Sequence, residues 1–441
     1  MKRIFYFLTI LMVCAACQDD DSFSTDSGMR LEFSVDTLKL DTVFSRIPSS
    51  TYTFWVHNRN NDGIRLQSVR LKRGNQTGYR VNVDGIYLDN SNGSQTNDVE
   101  VRRNDSILVF VELTAAETKQ QNPVLLEDDL LFTLESGVEQ KVCLRAWSWD
   151  AQKYYSPVVT KDSVIDSRVP IIIWGDLKVN EGVTLTIKNT DLYFHDNSGI
   201  EVYGRLLTEN CTMRGDRLDK MFDYLPYDRV SGQWKGIRFY ASSTANELRN
   251  TVIRNPQYGV ICDSAAIDST VYRLKMSSCV VHNCAGSGVE ASNANILLED
   301  CQLTNTLGSC LSVSGGIVRI EYCTLAQFYP FSADRGAALY LTNRKTPLLS
   351  LICEGSILTG YEEDVVIGDR SDQAFEYFFS NCLLRTPKSG IDTLRCQQII
   401  WETPQDSIQG KKHFVKIDEE NLDYDFHLDS LSTAKGLGCY R

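Results

Sequence analysis

Three segments that share one pattern decide the fold: MSSCVVHNCAGSGVE (276–290), LEDCQLTNTLGSCLS (298–312) and IEYCTLAQF (320–328). Their cysteines, Cys279, Cys301 and Cys323, follow one another at intervals of 22 residues. An apolar residue lies three positions before each cysteine, and an aliphatic residue lies two positions after it. Short alternating apolar runs broken by Gly and Asn are typical of strands, and this period is too short for two helices per repeat. The pattern predicts a right-handed parallel β-helix with one repeat per coil.

The chain holds 14 cysteines, and the repeat explains several of them without disulfides. Those in strand-like runs are Cys211, Cys279, Cys301, Cys323 and Cys382. We expect them to stack inside the β-helix as small, free, buried side chains. Beyond residue 17 no pair has the C-x-x-C spacing of a zinc or thioredoxin-like site. We therefore expect neither a metal site nor another cofactor.

The N-terminus has the features of an export signal. Lys2 and Arg3 precede the apolar run IFYFLTILMV, and two alanines lead to Cys17 and the acidic run QDDD. The end of this segment resembles a bacterial lipobox, which implies a signal peptide over residues 1–16 and a lipid on Cys17. The acidic run resembles a surface-export signal. We expect a lipidated tether over residues 17–28 that contacts the outer membrane, with the protein on its extracellular face.

The next part of the chain predicts a β-sandwich over residues 29–147. Seven short alternating strands, among them TYTFWVHN and SILVFVEL, are separated by turn signals such as Asn60-Asn61-Asp62-Gly63. This number of strands in about 115 residues is typical of an immunoglobulin-like (Ig-like) sandwich. An aromatic-rich connector, residues 148–168, follows. The predicted fold class is all-β, with an Ig-like sandwich followed by the parallel β-helix.

We expect the β-helix to cover residues 169–412 and a capping segment, 413–441, to close it.

Several motifs, namely LEFSVDTLKLDTVFS, VCLRAWSWD, GDRLD, LPYD and GQWKGI, resemble a family of bacterial surface lipoproteins. In that family an Ig-like sandwich precedes a β-helix of the pectate-lyase-like fold. The resemblance implies a fold and a cellular location, but it implies no particular activity.

A long interruption of the repeat, residues 214–240, is the best candidate for a binding site. The candidate ligand-binding residues are Arg214, Asp216, Arg217, Asp219, Tyr224, Tyr227, Asp228 and Trp234. Carboxylates and guanidinium groups beside aromatic rings suit sugar recognition, because they bind hydroxyl groups and cover the apolar face of a ring. The same residues could be structural, with Arg–Asp pairs holding the loop and Trp234 entering the core. The sequence favours this structural role.

Signals for catalysis are weaker. β-Helix enzymes that cut acidic polysaccharides need carboxylates on one exposed face, and the repeats offer Glu299, Asp300 and Glu321. Two like charges 22 residues apart could equally form a solvated face. His195 and Asp196 suggest acid–base chemistry, but a single histidine near a turn is more often only hydrogen-bonded.

Three functions remain open from the sequence. The first is a non-catalytic surface lipoprotein that binds a glycan or a protein partner through the β-helix flank and the 214–240 loop. The second is a polysaccharide lyase or glycoside hydrolase acting on acidic glycans, and the third is a structural component of the envelope. The net charge of −12 without a basic cluster argues against nucleic acid as a partner.

Overall fold

The computed structural model describes residues 22–362, 364, 366–402 and 410–441. The chain forms two compact units. Of the described residues, the first unit contains those up to Asp150 together with Leu218–Met221, and the second contains those in Ala151–Arg217 and Phe222–Arg441. The predicted signal peptide and the lipidation site Cys17 lie outside the described residues. No helix among the described residues is long and apolar enough to cross a membrane.

The first unit is a sandwich of two five-stranded sheets. Its strands are β1 (Glu32–Phe33), β2 (Thr37–Phe44), β3 (Tyr52–His57), β4 (Ile64–Leu71), β5 (Tyr79–Val83), β6 (Ile86–Tyr87), β7 (Gln95–Val101), β8 (Ser106–Leu113), β9 (Val124–Leu134) and β10 (Glu139–Trp149). A single 3-10 turn, Asn90–Asn92, lies between β6 and β7. The sheet orders are β1-β3-β8-β5-β6 and β2-β10-β9-β4-β7. Neighbours are antiparallel except β2 and β10, which run parallel.

Strict alternation along the strands builds the core of the sandwich. In β3, Tyr52, Phe54 and Val56 are buried while the residues between them face outwards. Because successive side chains in a strand point to opposite faces, such a strand covers the core with one face and meets water with the other. The predicted all-β sandwich is confirmed, and β7 is a strand that the turn-rich sequence around it did not reveal.

The second unit is a stack of parallel strands joined in one 26-stranded sheet. Its strands before the long loop are β11 (Gln152–Tyr155), β12 (Val158–Val159), β13 (Ser163–Asp166), β14 (Ile171–Trp174), β15 (Leu177–Val179), β16 (Thr184–Lys188), β17 (Asp191–Phe194), β18 (Ile200–Val202) and β19 (Arg205–Gly215). The loop carries a separate pair, β20 (Lys220–Phe222) and β21 (Leu225–Pro226), and the 3-10 turn Tyr227–Arg229.

The stack resumes after the loop and continues to residue 401. Its remaining strands are β22 (Ile237–Phe239), β23 (Asn246–Arg254), β24 (Val260–Cys262), β25 (Leu274–Ser277), β26 (Val280–Cys284), β27 (Val289–Glu299), β28 (Gln302–Thr306), β29 (Leu311–Glu321), β30 (Thr324–Gln327), β31 (Leu339–Thr342), β32 (Leu348–Glu354), β33 (Ile357–Gly360), β34 (Val366–Asp369), β35 (Phe375–Ser380), β36 (Leu383–Leu384), β37 (Cys396–Gln397) and β38 (Ile400–Trp401). The 3-10 turns Lys388–Gly390 and Thr393–Arg395 lie between β36 and β37.

Each strand of the stack pairs in parallel with the equivalent strand of the next coil, as in β15 with β18 and β18 with β22. This arrangement confirms the predicted right-handed parallel β-helix. The stack begins at Gln152, because β11, β12 and β13 already pair with β14, β15 and β16. The residues predicted as the connector therefore form the first coil, ahead of the predicted start at residue 169.

The cysteines stack as the repeat predicts. Cys279, Cys301 and Cys323 are fully buried in one file, and the register of β26, β28 and β30 aligns them. All twelve cysteines of the described part of the chain are free. Burial raises the pKa of Cys284 and Cys310, which keeps these thiols protonated.

A repeated turn explains why the file contains thiols and hydroxyls. In eight successive coils the residue before the file has φ between 42 and 60°: Asn189, Asn210, Asn250, Ser278, Asp300, Tyr322, Gly355 and Asn381. The next residue donates a hydrogen bond to the carbonyl two positions before it: Thr190, Cys211, Thr251, Cys279, Cys301, Cys323, Ser356 and Cys382. Asparagine tolerates the left-handed conformation, and a thiol replaces the hydroxyl as donor. The cysteines are thus hydrogen-bonding turn residues as well as apolar filling.

We expect Cys301→Ser to be better tolerated than Cys301→Ala. The Cys301 thiol donates to the Glu299 carbonyl at 3.2 Å, and serine retains a donor whereas alanine leaves a small cavity. Alanine should lower the free energy of unfolding by about 1 kcal/mol, measured by denaturant unfolding. If serine proves more damaging than alanine, the thiol acts only as an apolar group.

The C-terminal segment forms an antiparallel hairpin, β39 (Phe414–Asp418) and β40 (Asp423–Leu428), after the 3-10 turn Lys411–His413. It packs on the outer side of the stack, where Phe414 and Phe426 cluster with Phe328 and Ile357. Further along, the Tyr440 hydroxyl donates to Gln302 at 2.9 Å. The segment predicted to cap the end of the β-helix therefore lies along its side and buries both faces of β28 and β30.

Candidate ligand-binding groove

Trp234, where the long loop rejoins the stack, is a core residue. Its ring is 1% exposed and stacks on Phe194, with 4.2 Å between the ring centroids. Its indole N–H donates to the Arg254 carbonyl at 2.8 Å. Trp234 therefore has the structural role that the sequence favoured, because no face of its ring is open to a ligand.

Asp219 is also structural. Residues 218–221 belong to the first unit, where the Asp219 side chain is buried and accepts a hydrogen bond from the Ser50 backbone N–H at 2.7 Å. The backbone N–H of Lys220 donates to the Tyr52 hydroxyl at 3.2 Å. These contacts lie within the first unit and leave the Asp219 carboxylate turned into it.

Arg214 and Asp228 form an Arg–Asp pair of the kind that the structural interpretation of the loop expects. The Arg214 guanidinium lies 2.7 Å from one carboxylate oxygen of Asp228, and Arg254 lies 2.9 Å from the other. Arg214 also donates to the Arg217 carbonyl at 2.9 Å. Burial lowers the pKa of Arg214, and the Asp228 carboxylate opposes that shift. The guanidinium groups of Arg214 and Arg254 therefore both pair with the single carboxylate of Asp228.

Asp216 contacts His195, which the sequence analysis considered together with Asp196. Its buried carboxylate lies 2.7 Å from Nδ1 of His195, whereas the sequence suggested Asp196 as the neighbour. The His195 ring stacks on Trp174 with 3.6 Å between centroids. A buried carboxylate that orients a partly exposed imidazole is an arrangement used in acid–base catalysis.

The outer part of the loop carries the remaining predicted residues. The Arg217 guanidinium lies over the Tyr227 ring, 4.4 Å from its centroid. Tyr224 is 79% exposed and stacks on Phe222. Among the eight predicted residues, Tyr224 therefore presents the most open aromatic surface.

The sequence left open whether Glu299 and Glu321 stack, and in the structure they do. Glu299, Glu321 and Glu354 occupy one register in successive coils, and the sequence did not reveal the third. Glu299 pairs with Lys275 at 3.5 Å and Glu321 pairs with Arg319, so neighbouring cations compensate these carboxylates. In the part of the chain that the structure describes, no three His, Cys, Asp or Glu side chains come together as a metal site would require.

A groove on the flank of the β-helix, which we call the flank groove, combines polar pairs with an open aromatic ring. It has a volume of about 380 Å³ and lies across β18, β22 and β24, next to the start of β15. Its lining includes Asp176, Glu201, Lys235, Arg238, Tyr240 and Tyr258. Lys235, Arg238 and Tyr240 occupy the end of the predicted loop region, beyond the residues that the sequence singled out.

The polar groups of the flank groove are held in pairs. Lys235 Nζ lies 2.7 Å from Asp176, and Arg238 Nε donates to Asp263 at 3.0 Å. The Tyr240 hydroxyl donates to Glu201 at 3.1 Å. These contacts fix the side chains in place while Lys235 and Arg238 remain exposed to solvent. A ligand therefore meets groups that are already oriented.

Aromatic rings stiffen the same surface. Tyr240 stacks on Tyr203 with 4.1 Å between centroids, and Lys178 and Arg238 lie over the two rings. Tyr258 is 37% exposed and borders the groove. Burial and the neighbouring Glu201 raise the pKa of Tyr240, which keeps its hydroxyl a donor.

Part of the second unit matches a known family. Residues 163–343 match the model of the right handed beta helix region, which covers most of the stack and both sides of the loop. No curated protein gives a significant match.

Solved structures resemble the chain only distantly. The Agl-KA catalytic domain aligns over 79% of this chain and 79% of its own, with 9% identity and a TM-score of 0.31. The PapD-like domain 7 of human CEP192 aligns over 28% of this chain and 88% of its own, with 10% identity and a TM-score of 0.19. A family 123 glycoside hydrolase from Clostridium perfringens aligns over 29% of this chain and 30% of its own, with 6% identity and a TM-score of 0.20. Scores this low carry no conclusion about function.

Proposed function

We propose that this chain is a lipid-anchored protein of the outer membrane, facing outwards, that binds a glycan in the flank groove without cleaving it. The lipobox-like sequence before Cys17 and the acidic residues after it support this outer-membrane location. The resemblance of the motifs to surface lipoproteins supports an Ig-like type for the sandwich. In this proposal the β-helix presents the ligand site.

The observation that carries the binding function is the composition of the flank groove. Sugar rings offer hydroxyl groups at their rim and C–H groups on their faces, so they bind where oriented polar groups lie beside an aromatic ring. The pairs Arg238–Asp263 and Lys235–Asp176 supply donors and acceptors, and Tyr258 supplies the ring. The pairs are already formed, so little side-chain ordering opposes binding.

We expect Tyr258→Ala and Arg238→Ala each to weaken binding about tenfold, which corresponds to about 1.4 kcal/mol. The measurement is a glycan array with the full chain, followed by titration calorimetry on the best glycan. Tyr155→Ala is the matched control, because this tyrosine is 71% exposed on the same unit but outside the groove. Tyr224→Ala tests the loop as an alternative site.

The outcomes separate the groove from the other candidates. A loss confined to Tyr224→Ala would move the site to the loop. An array without any bound glycan would contradict the proposal and leave a protein partner or a structural role in the envelope. Equal losses in Tyr258→Ala and Tyr155→Ala would show that the effect is not specific to the groove.

One observation favours catalysis as a second candidate function. The buried carboxylate of Asp216 orients the partly exposed His195 ring at 2.7 Å, so the ring could act as a general base towards a bound substrate. Release of reducing ends from an array-selected glycan, lost in His195→Gln, would support a lyase or hydrolase. Binding without release would support the first proposal.

A further inference from the structure

A second cavity lies within the β-helix unit, under the C-terminal hairpin, and we call it the hairpin cavity. It has a volume of about 190 Å³. Its walls come from the 3-10 turn Tyr227–Arg229, from successive coils at Arg254, His282 and Asn305, and from the hairpin at residues 422–424. It shares no lining residue with the flank groove.

A buried amide in this cavity has no hydrogen-bond partner among the described residues. Asn255 donates to the Asp228 carbonyl at 3.0 Å, and Asn283 donates to the Asn255 side chain at 2.8 Å, so the asparagines form a ladder along the coils. The ladder stops before Asn305, which is 1% exposed and whose two amide atoms form no hydrogen bond with the described residues. The hydroxyl of Tyr424 is also buried without a partner among them. Buried polar groups are normally satisfied by protein, ordered water or a ligand, so these atoms offer hydrogen bonds to whatever occupies the cavity.

The cations of the cavity exceed the carboxylates available to them. Arg254 shares Asp228 with Arg214, at 2.9 and 2.7 Å. Arg229 donates to the Asn421 carbonyl and forms no ion pair with a described carboxylate. Asp423, which also lines the cavity, is paired with Lys416 at 2.5 Å. An anion would therefore find guanidinium groups that are not fully neutralised.

His282 contributes a neutral ring to the cavity wall. Burial and the nearby Arg254 lower its pKa to about 3. Its Nδ1 lies 2.8 Å from the Thr304 hydroxyl, which accepts a hydrogen bond from Gln302 at 2.8 Å. The Thr304 hydroxyl therefore holds the neutral His282 ring in place at the wall of the cavity.

We propose that the hairpin cavity binds a small organic molecule in which a carboxylate lies next to hydroxyl groups, with Arg229 and Arg254 at the carboxylate and Asn305 and Tyr424 at the hydroxyls. The volume is below that of pockets for drug-sized ligands, about 300 Å³ or more, so it suits one such unit. A free hydroxy acid and the terminal acidic residue of a glycan share this chemistry. The proposal does not depend on the flank groove.

Titration calorimetry on the full chain tests the proposal with D-glucuronate, D-glycerate, D-glucose and inorganic phosphate. We expect at least one of the two hydroxy carboxylates to bind at least about tenfold more tightly than glucose and phosphate. Arg229→Gln and Asn305→Asp should each weaken that binding by about tenfold or more, because the first removes a cation and the second adds a carboxylate. Aspartate tolerates the left-handed backbone of Asn305, where φ is 55°. Circular dichroism confirms that both variants fold.

Preference for glucuronate would identify a glycan terminus, and preference for glycerate would identify a free hydroxy acid. Either supports the proposal if the two variants weaken binding and Tyr258→Ala, in the flank groove, does not. Equal affinity for glucose or phosphate, no binding of either carboxylate, or binding unchanged in both variants would overturn it. Because Tyr258→Ala affects only the groove, failure of the glycan proposal is distinguishable from failure of this one.

Discussion

Replacing Trp234 with alanine is expected to lower the free energy of unfolding by about 3–5 kcal/mol. The indole is 1% exposed, stacks on Phe194 at 4.2 Å between centroids, and donates to the Arg254 carbonyl at 2.8 Å. Alanine would open a large cavity between coils and leave the position without a donor. Denaturant unfolding followed by near-ultraviolet circular dichroism measures the change.

Two variants make the Trp234 experiment specific. Trp234→Phe retains a ring against Phe194 and removes only the N–H, so it should lose about 1–2 kcal/mol. Tyr224→Ala changes an aromatic residue of the same loop that is 79% exposed, and it should stay within about 0.5 kcal/mol of the wild type. If Trp234→Ala is no more damaging than Tyr224→Ala, the core assignment of Trp234 is wrong.

The architecture was predictable because a solenoid repeats its register in the sequence. The interval of 22 residues between Cys279, Cys301 and Cys323 corresponds to one coil, and the structure aligns the three in one buried file. The first coil was missed because its strands are short and expose apolar residues. Val158 and Val164 are 53% and 69% exposed, so no buried apolar period marks this part of the chain.

The flank groove was less predictable because its residues come from coils of unequal length. Glu201 and Arg238 occupy neighbouring positions in β18 and β22, yet 37 residues separate them because the loop intervenes. Outward positions of strands also carry no apolar signal. A sequence signal does exist in the strands IEV and IRF, whose central residues are charged between inward-facing apolar ones.

The loop shows why the particular partners of its charged residues could not be identified from the sequence. Arg214 and Asp228 do meet, but the second guanidinium on that carboxylate is Arg254, from a later coil. Likewise the neighbour of His195 is Asp216 from the next coil and not the adjacent Asp196. Stacking makes partners of residues about one coil apart, so local sequence cannot identify them without the register.

The second large effect is expected at a buried hydrogen-bonded pair that holds the C-terminal segment. His413 Nε2 lies 2.9 Å from Glu402, and both side chains are 2% exposed. The other oxygen of Glu402 accepts from Thr359 at 2.6 Å, and Nδ1 of His413 lies 3.1 Å from the Ser432 hydroxyl. His413→Ala would leave the Glu402 carboxylate buried without its main partner, so we expect a loss of about 3–5 kcal/mol.

A double-mutant cycle distinguishes this pair from ordinary packing. His413→Leu and Glu402→Leu should each destabilise the chain, whereas the double variant should recover part of the loss, because it leaves no buried group unpaired. Since His413 belongs to the segment that carries the hairpin, the single variants should also increase cleavage between residues 414 and 441 in limited proteolysis. Additive losses without recovery would mean that the two side chains stabilise the segment independently. In that case the contact at 2.9 Å would not be what fixes the hairpin against the coils.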